Sequence, residues 1–264
     1  YRAQKHAIRD IVNIINAGCK SPDQAVWAVE GDIQGCFDNI SHRILLQKVW
    51  RMGIHDKRVL KIISQMLKAG YVERDLYYQT AAGTPQGGIL SPLLSNIYLN
   101  DFDWYVGRTY MEPHRKCKHK CNDTRRLKWA GTTPKYNFRY ADDWVVLTST
   151  EKEAFRMKRE LTKYFRQKLK LELSQEKTYV TDLRKGGIHF LGYIVKAERK
   201  RKTPNPATWT EHLVGKPLPD MERLSKKIGS LLEQVHRIEL YSKPNTQAAQ
   251  IQYVNSIILG LAQY

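Results

Sequence analysis

The sequence predicts an α+β fold built from short strands and amphipathic helices, and three observations support this prediction. Residues 137–147 carry strand-forming side chains on both sides of Asp142 and Asp143, which predicts a hairpin with two carboxylates at its turn. Residues 4–17 repeat apolar side chains at helical spacing. The chain of 264 residues is 42% hydrophobic, which is enough to bury a substantial core.

The N-terminal half predicts a helix, a strand and then a mostly helical region. The first helix ends near Gly18, and the strand Ala25–Val29 leads into Asp32. Ser41 is the predicted N-cap of a helix that reaches Trp50. The next predicted elements are a helix over 56–69, a strand or hairpin edge over 71–80, a loop over 83–88 and a helix from Ser91 towards Tyr105.

The C-terminal half predicts a basic surface insertion, further strands and two terminal helices. Residues 106–135 lack clean periodicity, whereas Thr150–Glu153 forms a capping box before a helix. Short strands are predicted over 171–173, 178–182 and 187–196. Residues 200–219 hold four of the ten prolines and predict a linker. Apolar periodicity then predicts helices over 221–238 and 246–261.

The charge of the chain indicates a polyanionic partner. Lysine and arginine number 44 against 26 aspartates and glutamates, which leaves a net charge of +18. No apolar run approaches the length of a membrane span, and the N-terminal residues lack a signal-peptide pattern. We therefore expect a cytoplasmic protein, with an organelle as the alternative, that binds nucleic acid and no membrane. The candidate RNA-binding residues form two clusters: Arg115, Lys116, Lys118 and Lys120, and Arg199, Lys200, Arg201 and Lys202.

Four cysteines at irregular spacing do not form a disulfide framework. His114, Cys117, His119 and Cys121 lie close together, so a zinc clip is one interpretation of this stretch. Structural zinc sites usually draw a second pair of ligands from a distant segment, and none is apparent. A solvated basic insertion is the interpretation we prefer.

Three carboxylates at predicted strand ends form the candidate catalytic centre. An Asp-Asp pair alone is common in exposed turns, so Asp142 and Asp143 also fit a solvated turn. Asp32, which follows a predicted apolar strand, changes this balance because two strand ends can meet in one sheet. Together the three could hold two Mg²⁺ ions about 4 Å apart, with Mn²⁺ as an alternative.

Four sequence blocks, in order, resemble the reverse transcriptases, and most closely those encoded by group II introns, the maturases. The blocks are Glu30–Ile40, Gly83–Leu93, Tyr140–Asp143 and Phe190–Tyr193. The resemblance implies a right-hand polymerase palm over residues 1–199, an antiparallel sheet with helices packed on one face. It implies a helical thumb over 220–264 after the linker at 200–219. Most of the fingers, which precede the palm in this family, are expected to be absent.

The resemblance also assigns roles to individual residues. It implies that Asp32, Asp142, Asp143 and the backbone of Ile33 hold the metals, and that Lys177 donates a proton to pyrophosphate. Nucleotide-binding residues would be Ile33, Gly35, Cys36, Phe37 and Gln86, with the Phe37 ring excluding a ribose 2′-hydroxyl. Primer and template would contact Gln86, Gly87, Phe190, Leu191, Gly192 and Tyr193, the last four resembling the primer grip.

The function implied is RNA-directed DNA synthesis by two-metal nucleotidyl transfer, together with binding of intron RNA to assist splicing and mobility. Its partners would be an RNA template, a DNA primer, deoxynucleoside triphosphates and a group II intron RNA. One alternative is an RNA-binding splicing cofactor without polymerase activity of its own. Another is a retron or CRISPR-associated reverse transcriptase.

Overall fold

The structure is a computed structural model of the 264-residue chain. It describes residues 3–17, 23–69, 71–73, 76–78, 82–84, 90–111, 126–127, 129–201, 211–238 and 244–262. Among the described residues, no helix has both the length and the apolar character that crossing a membrane requires.

The helices and strands follow the predicted order closely. The helices are α1 (Gln4–Ala17), α2 (His42–Arg51), α3 (Lys57–Lys68), α4 (Ser91–Val106), α5 (Glu151–Tyr164), α6 (Met221–Ile238) and α7 (Pro244–Ala262). One turn of π-helix extends α4 through Gly107–Met111, and another extends α5 through Phe165–Leu169. The strands are β1 (Trp27–Gly31), β2 (Tyr71–Glu73), β3 (Leu76–Tyr78), β4 (Tyr136–Tyr140), β5 (Asp143–Thr148), β6 (Tyr179–Asp182), β7 (Ile188–Phe190), β8 (Tyr193–Arg201) and β9 (Glu211–Pro219).

Within the described part of the chain, four strands form an antiparallel sheet in the order β4-β5-β1-β6. The register places Gly31 at the end of β1 opposite Trp144 near the start of β5. A smaller antiparallel sheet has the order β7-β8-β9, and β2 pairs with β3 as a separate hairpin. The predicted hairpins at 137–147 and 71–80 are thereby confirmed for the described residues.

Both faces of the four-stranded sheet are covered, which explains why β5 is a continuous apolar run. On one face, Trp144 and Val146 pack in a core with α2, α4 and α5. On the other, Val145 and Leu147 pack with α1 and the β7-β8-β9 sheet. The predicted layer of helices on one face is confirmed, and the second face is covered by a helix and a sheet.

Several predicted segments differ in the structure. Residues 106–111 of the predicted surface insertion continue α4 and its π-helical turn, with Val106 and Tyr110 buried. The strand predicted over 171–173 is reduced to one bridge, between Ile33 and Leu173. The linker predicted over 200–219 is wrong for residues 200–201 and 211–219, which belong to the paired strands β8 and β9. Prolines are tolerated here because β9 is an edge strand, where a missing N–H breaks no ladder on its outer side. The single strand predicted over 187–196 is a hairpin, because Leu191 and Gly192 both have positive φ, at 53° and 83°, and form a tight turn.

Candidate active site

Antiparallel pairing of β1 and β5 brings the three predicted carboxylates to one end of the sheet. Because Gly31 at the end of β1 pairs with Trp144, Asp32, the residue that follows β1, lies beside Asp143, the first residue of β5. Asp142 occupies the turn just before. Residues separated by more than a hundred positions in sequence are therefore neighbours, as predicted.

Close packing beneath the carboxylates requires glycine at position 31. A Cβ atom on Gly31 would lie 1.9 Å from the Trp144 indole. Trp144 is almost fully buried, and its ring packs edge-on against Phe102 of α4 and stacks on Phe165 after α5. Neither the Gly31 backbone nor the Trp144 indole can move without disturbing the core. The two strand ends that carry Asp32 and Asp143 therefore have a fixed separation.

The turn that carries Asp142 has a defined backbone conformation. Tyr140 pairs with Asp143, which leaves Ala141 and Asp142 as the two turn residues. Ala141 has a φ of +56°, and a positive φ at the first turn residue alone is the pattern of a type II′ turn. Arg139 donates to the Ala141 carbonyl at 2.7 Å and so supports this conformation.

Lys177, the predicted proton donor, lies next to Asp32. Its Nζ is 3.1 Å from Asp32 Oδ2, and the lysine side chain is largely exposed. Two backbone bonds fix the approach of its segment: the amide of Ser174 donates to the Asp32 carbonyl, and the amide of Gln34 donates to the Glu172 carbonyl, both at 2.9 Å.

The same two bonds determine where the backbone of Ile33 points. They flank the bridge between Ile33 and Leu173 and use neither group of Ile33 itself. In an antiparallel ladder such a residue directs its N–H and C=O away from that partner. The carbonyl of Ile33 therefore faces the β5 side, where Asp143 lies.

Electrostatic repulsion among the carboxylates is visible in two ionisable groups. The pKa of Asp143 is raised, first by loss of hydration and then by the charges of Asp142 and Asp32, with Arg223 and Lys177 opposing. Burial, followed by the charge of Asp142, raises the pKa of the Cys36 thiol to about 12. The site therefore carries an excess of negative charge.

The carboxylates of Asp32, Asp142 and Asp143 and the carbonyl of Ile33 are oxygen ligands of the kind that suits a divalent cation. Carboxylate and carbonyl oxygens are the ligands that Mg²⁺ prefers, and a cation would relieve the repulsion felt by Asp143. An ammonium group, that of Lys177, already contacts Asp32. Among the described residues, no three His, Cys, Asp or Glu side chains converge closely enough to hold a metal ion as they stand.

The turn after Asp32 forms a compact wall beside the carboxylates. Gly35 has a φ of +52°, and its carbonyl accepts from the amides of Asp38 and Asn39 at 3.0 Å. The Asn39 side chain adds bonds to the carbonyls of Gln34 and Gly35. Cys36 is buried and Phe37 is half-buried, so three of the predicted nucleotide-binding residues, Gly35, Cys36 and Phe37, lie on one hydrogen-bonded turn.

The predicted loop at 83–88 is joined to this turn at its start. The Gly83 amide donates to the Ile40 carbonyl at 2.8 Å, and the Thr84 amide donates to the Phe37 carbonyl at 2.6 Å. A Cβ on Gly83 would lie 2.7 Å from the Phe37 and Asp38 carbonyls, so only glycine permits this approach. Gln86 and Gly87 themselves lie outside the described residues.

The predicted primer grip is the turn between β7 and β8, and it is linked to α6. Phe190 pairs with Tyr193 across Leu191 and Gly192. The Asp220 amide donates to the Gly192 carbonyl at 2.9 Å, immediately before α6 begins.

The other predicted residues are only partly described. Arg199 lies in β8 opposite Leu213, and Lys200 and Arg201 complete that strand. Arg115, Lys116, Lys118, Lys120 and Lys202 lie outside the described residues, as do His114, Cys117, His119 and Cys121.

Sequence reasoning missed several residues that organise the site. Glu30 is buried, accepts from the His189 amide at 3.1 Å and contacts Thr181. Arg139 fastens the catalytic turn to Asp103 of α4. The sequence signals for such residues were weak: Gly31 directly precedes Asp32, Arg139 lies within the predicted hairpin at 137–147, and Asp220 directly precedes a predicted helix.

Known proteins resemble the chain in sequence and in fold. Residues 2–195 match the family described as reverse transcriptase (RNA-dependent DNA polymerase). The group II intron-encoded protein LtrA of Lactococcus lactis is 34% identical, over 91% of this chain and 48% of that protein. Protein YkfC of Escherichia coli K12 is 32% identical, over 76% of this chain and 54% of that protein. The chain thus spans about half the length of these relatives.

Solved structures share the fold. Apo telomerase of Candida tropicalis, truncated from its C-terminal domain, superposes with a TM-score of 0.52 at 14% identity, over 74% of this chain and 38% of that one. Telomerase of Candida albicans gives a TM-score of 0.52 at 12% identity, over 74% of this chain and 33% of that one. Since the family match extends over residues 2–195, well over half of the chain, the protein belongs to the reverse transcriptase (RNA-dependent DNA polymerase) family.

Proposed function

We propose that the chain carries the polymerase centre of an RNA-directed DNA polymerase encoded by a group II intron. The observation that carries this proposal is the register of β1 against β5, which brings Asp32 to Asp142 and Asp143 within a reverse transcriptase fold. Its substrates would be an RNA template, a DNA primer and deoxynucleoside triphosphates. The similarity to LtrA supports the intron-encoded assignment.

Reverse transcriptases generally use divalent metal ions. Asp32, Asp142, Asp143 and the carbonyl of Ile33 are the groups that would hold them here. When bound, two such ions lower the pKa of the primer hydroxyl and neutralise the departing pyrophosphate. The raised pKa of Asp143 supports this assignment, because the repulsion behind it is relieved by a bound cation.

The protein's own groups would orient the reactants around this centre. Lys177 would give a proton to the leaving pyrophosphate oxygen, and its contact with Asp32 supports this role. The turn of Gly35, Cys36 and Phe37 would border the sugar and triphosphate. Because Gly83 and Thr84 are bonded to this turn, the loop that continues to Gln86 begins beside the nucleotide position.

The division into a palm over 1–199 and a thumb over 220–264 is part of the same proposal. In it, Phe190–Tyr193 supports the primer end, and α6 and α7 belong to the thumb. The bond from the Asp220 amide to the Gly192 carbonyl would join the grip to the thumb at the boundary.

A second function, RNA binding that assists splicing, is favoured by charge and by the intron-encoded relatives. The net charge of +18 favours a polyanionic partner, and the relative LtrA is encoded by a group II intron. Arg115, Lys116, Lys118 and Lys120 and the run Arg199–Lys202 are the proposed contacts with intron RNA. Contacts of this kind are mostly to phosphates, so their affinity would fall steeply as salt rises.

Primer extension on an RNA template tests the polymerase assignment. Asp142→Asn keeps the shape of the side chain and removes a metal-binding charge, so extension should fall by about two orders of magnitude or more. Asp10→Asn on α1 removes an equal charge away from the carboxylates and should leave extension unchanged. Full extension by the Asp142 variant would refute the assignment.

A further inference from the structure

The outer face of α5 is a continuous basic stripe that the catalytic centre does not use. Lys152, Phe155, Arg159, Lys163 and Arg166 recur at steps of three or four residues, so they share one side of the helix. All five are exposed. At 1.5 Å per residue the stripe extends over roughly 21 Å.

The opposite face of α5 fixes the direction in which this stripe points. Ala154, Met157, Leu161 and Phe165 are fully buried against the four-stranded sheet. The stripe therefore faces outward on the helical side of the molecule, whereas the carboxylates lie at the end of the sheet. Its side chains are not needed to hold α5 in place.

The charges of the stripe are largely uncompensated. Across the described residues, no carboxylate forms an ion pair with Lys152, Arg159 or Lys163. Arg166 pairs with Glu172 at 3.4 Å. Two acids of the same helix face elsewhere, since Glu153 pairs with Lys135 and Glu160 pairs with Arg156.

The stripe also lines an open surface depression of about 730 Å³, whose described lining residues all lie within 152–167. Lys158 and Thr162 add a cation and a hydroxyl to its lining, and its described lining residues include no carboxylate. The ring of Phe155 is 52% exposed and is the one large apolar group among the described lining residues. A lone ring is too little for a membrane surface, which requires a broad apolar face.

We propose that this face of α5 docks a structured RNA, with the cations on its phosphates and Phe155 stacked on an unpaired base. Successive helical turns present a cation about every 5.4 Å, which suits a row of backbone phosphates. An exposed aromatic ring among cations is the usual means of holding an unstacked base. The identity of the partner as RNA rests on the proposed function, whereas the residues of this face are different from the three carboxylates and from the basic clusters noted above.

Binding of a labelled RNA hairpin across a salt series tests the proposal. The probe has a stem of roughly 16 base pairs, the span of a double-stranded RNA-binding domain, and an unpaired loop. The variant carries Lys152→Gln, Arg159→Gln and Lys163→Gln. Loss of three phosphate contacts should weaken binding by at least about tenfold and reduce the salt slope by about 2.

A matched control removes the same charge from another exposed helix, through Lys57→Gln, Lys61→Gln and Lys68→Gln on α3. The control should change the dissociation constant by less than about twofold, since no phosphate contact is lost. Equal loss in both variants would mean that only net charge matters, and unchanged binding by the α5 variant would show that no RNA docks there. Either result overturns the proposal.

Phe155→Ala separates stacking from charge. The Phe155→Ala variant should bind the looped hairpin more weakly, with an unchanged salt slope. It should bind a fully paired duplex as tightly as the unmodified chain does. Equal affinity for the looped hairpin would refute the stacking contact.

Primer extension by the α5 variant on a short unstructured template should be normal. If the unmodified chain binds the hairpin through α5 but extends no primer, the polymerase proposal fails and the docking surface stands.

Discussion

Arg139 and Asp103 form a two-pronged ion pair that ties the catalytic turn to helix α4. Arg139 Nη2 lies 2.6 Å from Asp103 Oδ2, and Nε lies 3.0 Å from Oδ1. The remaining Nη1 donates to the Asn96 side chain at 2.8 Å and to the Ala141 carbonyl. One planar guanidinium thus fixes the turn that carries Asp142 against helix α4, a geometry that lysine cannot reproduce.

Arg139→Lys should therefore lower primer extension while leaving the fold intact. A single ammonium cannot hold Asp103 and the Ala141 carbonyl together, and misplacement of catalytic groups by about 1 Å can cost about a hundredfold in rate. We expect a fall of about tenfold to a hundredfold in kcat, with a smaller change in KM. Arg156→Lys, at a surface pair with Glu160, is the matched control. If the two variants extend primers equally well, Arg139 does not position the turn.

Gly31→Ala tests the packing beneath the carboxylates. The added methyl would overlap the Trp144 indole, which is confined by Phe102 and Phe165. Overpacking of this kind typically costs about 1 to 3 kcal/mol. Thermal unfolding should shift down by several degrees, and extension should fall because Asp32 and Asp143 are displaced. Gly229→Ala, on α6 with open space around it, should be neutral or slightly stabilising. An unshifted melting curve for Gly31→Ala would contradict the packing argument.

Apolar periodicity and capping residues predicted most of the helices and strands, because these signals lie within each element's own sequence. The Thr150 cap is an example, since its side chain accepts from the Glu153 amide, as the capping box predicts. The β9 strand could not be predicted because its prolines are permitted only by an edge position, which is a property of the sheet. The Arg139–Asp103 pair joins segments 36 residues apart, and only tertiary packing determines such a partner.

The same distinction applies to the candidate site. The three carboxylates could be identified from strand patterns and family motifs, and the β1–β5 register then brings them together. Lys177 was a weak assignment because exposed lysines are common, and its contact with Asp32 depends on the bridge between Ile33 and Leu173. The roles of Glu30 and Asp220 have no local signature beyond a possible helix cap.

Phe37→Ala tests selection of the sugar. Phe37 is half-buried on the turn after Asp32, and its carbonyl is held by the Thr84 amide, so its backbone has little freedom. If the ring fills the space of a 2′-hydroxyl, its removal should raise ribonucleotide incorporation by about tenfold or more, and lower efficiency with deoxynucleotides. Competition between the two nucleotides measures this. Unchanged discrimination would leave Phe37 as a packing residue.

The Cys36 thiol should resist alkylation in the native protein. Its pKa of about 12 means that very little thiolate is present at pH 8, since only the thiolate reacts. Iodoacetamide at pH 8 should label the Cys36 peptide far more slowly in buffer than in urea, as mass spectrometry would measure. Because the folded state raises this pKa, the associated stability is complete below pH 9 and is lost as the pH rises towards 12. Rapid native labelling would show that the turn opens readily.

Asp220 links the proposed grip to the proposed thumb, and its replacement should loosen that link. Its carboxylate is buried, accepts from His189 Nδ1 at 3.1 Å and caps α6 by accepting from the Arg223 amide at 3.2 Å. These donors lower the pKa of Asp220, so its contribution is present at neutral pH and is lost as the pH falls through that lowered value.

Asp220→Ala should therefore increase hydrogen exchange in the first turns of α6 and in Ile188–Phe190, and shorten the products of primer extension. Glu222→Gln is the matched control, because Glu222 pairs only with exposed Lys226 on the same helix among the described contacts. Acidification that protonates Asp220 should raise the hydrogen-exchange rate of α6 in the unmodified chain, once the rate is corrected for the intrinsic rate at each pH. The alanine variant should lack this rise. If α6 and β7 keep full protection in the variant, the grip and the thumb are held together by other contacts. Long products from a variant with a loosened α6 would show that this linkage does not govern how far the primer is extended.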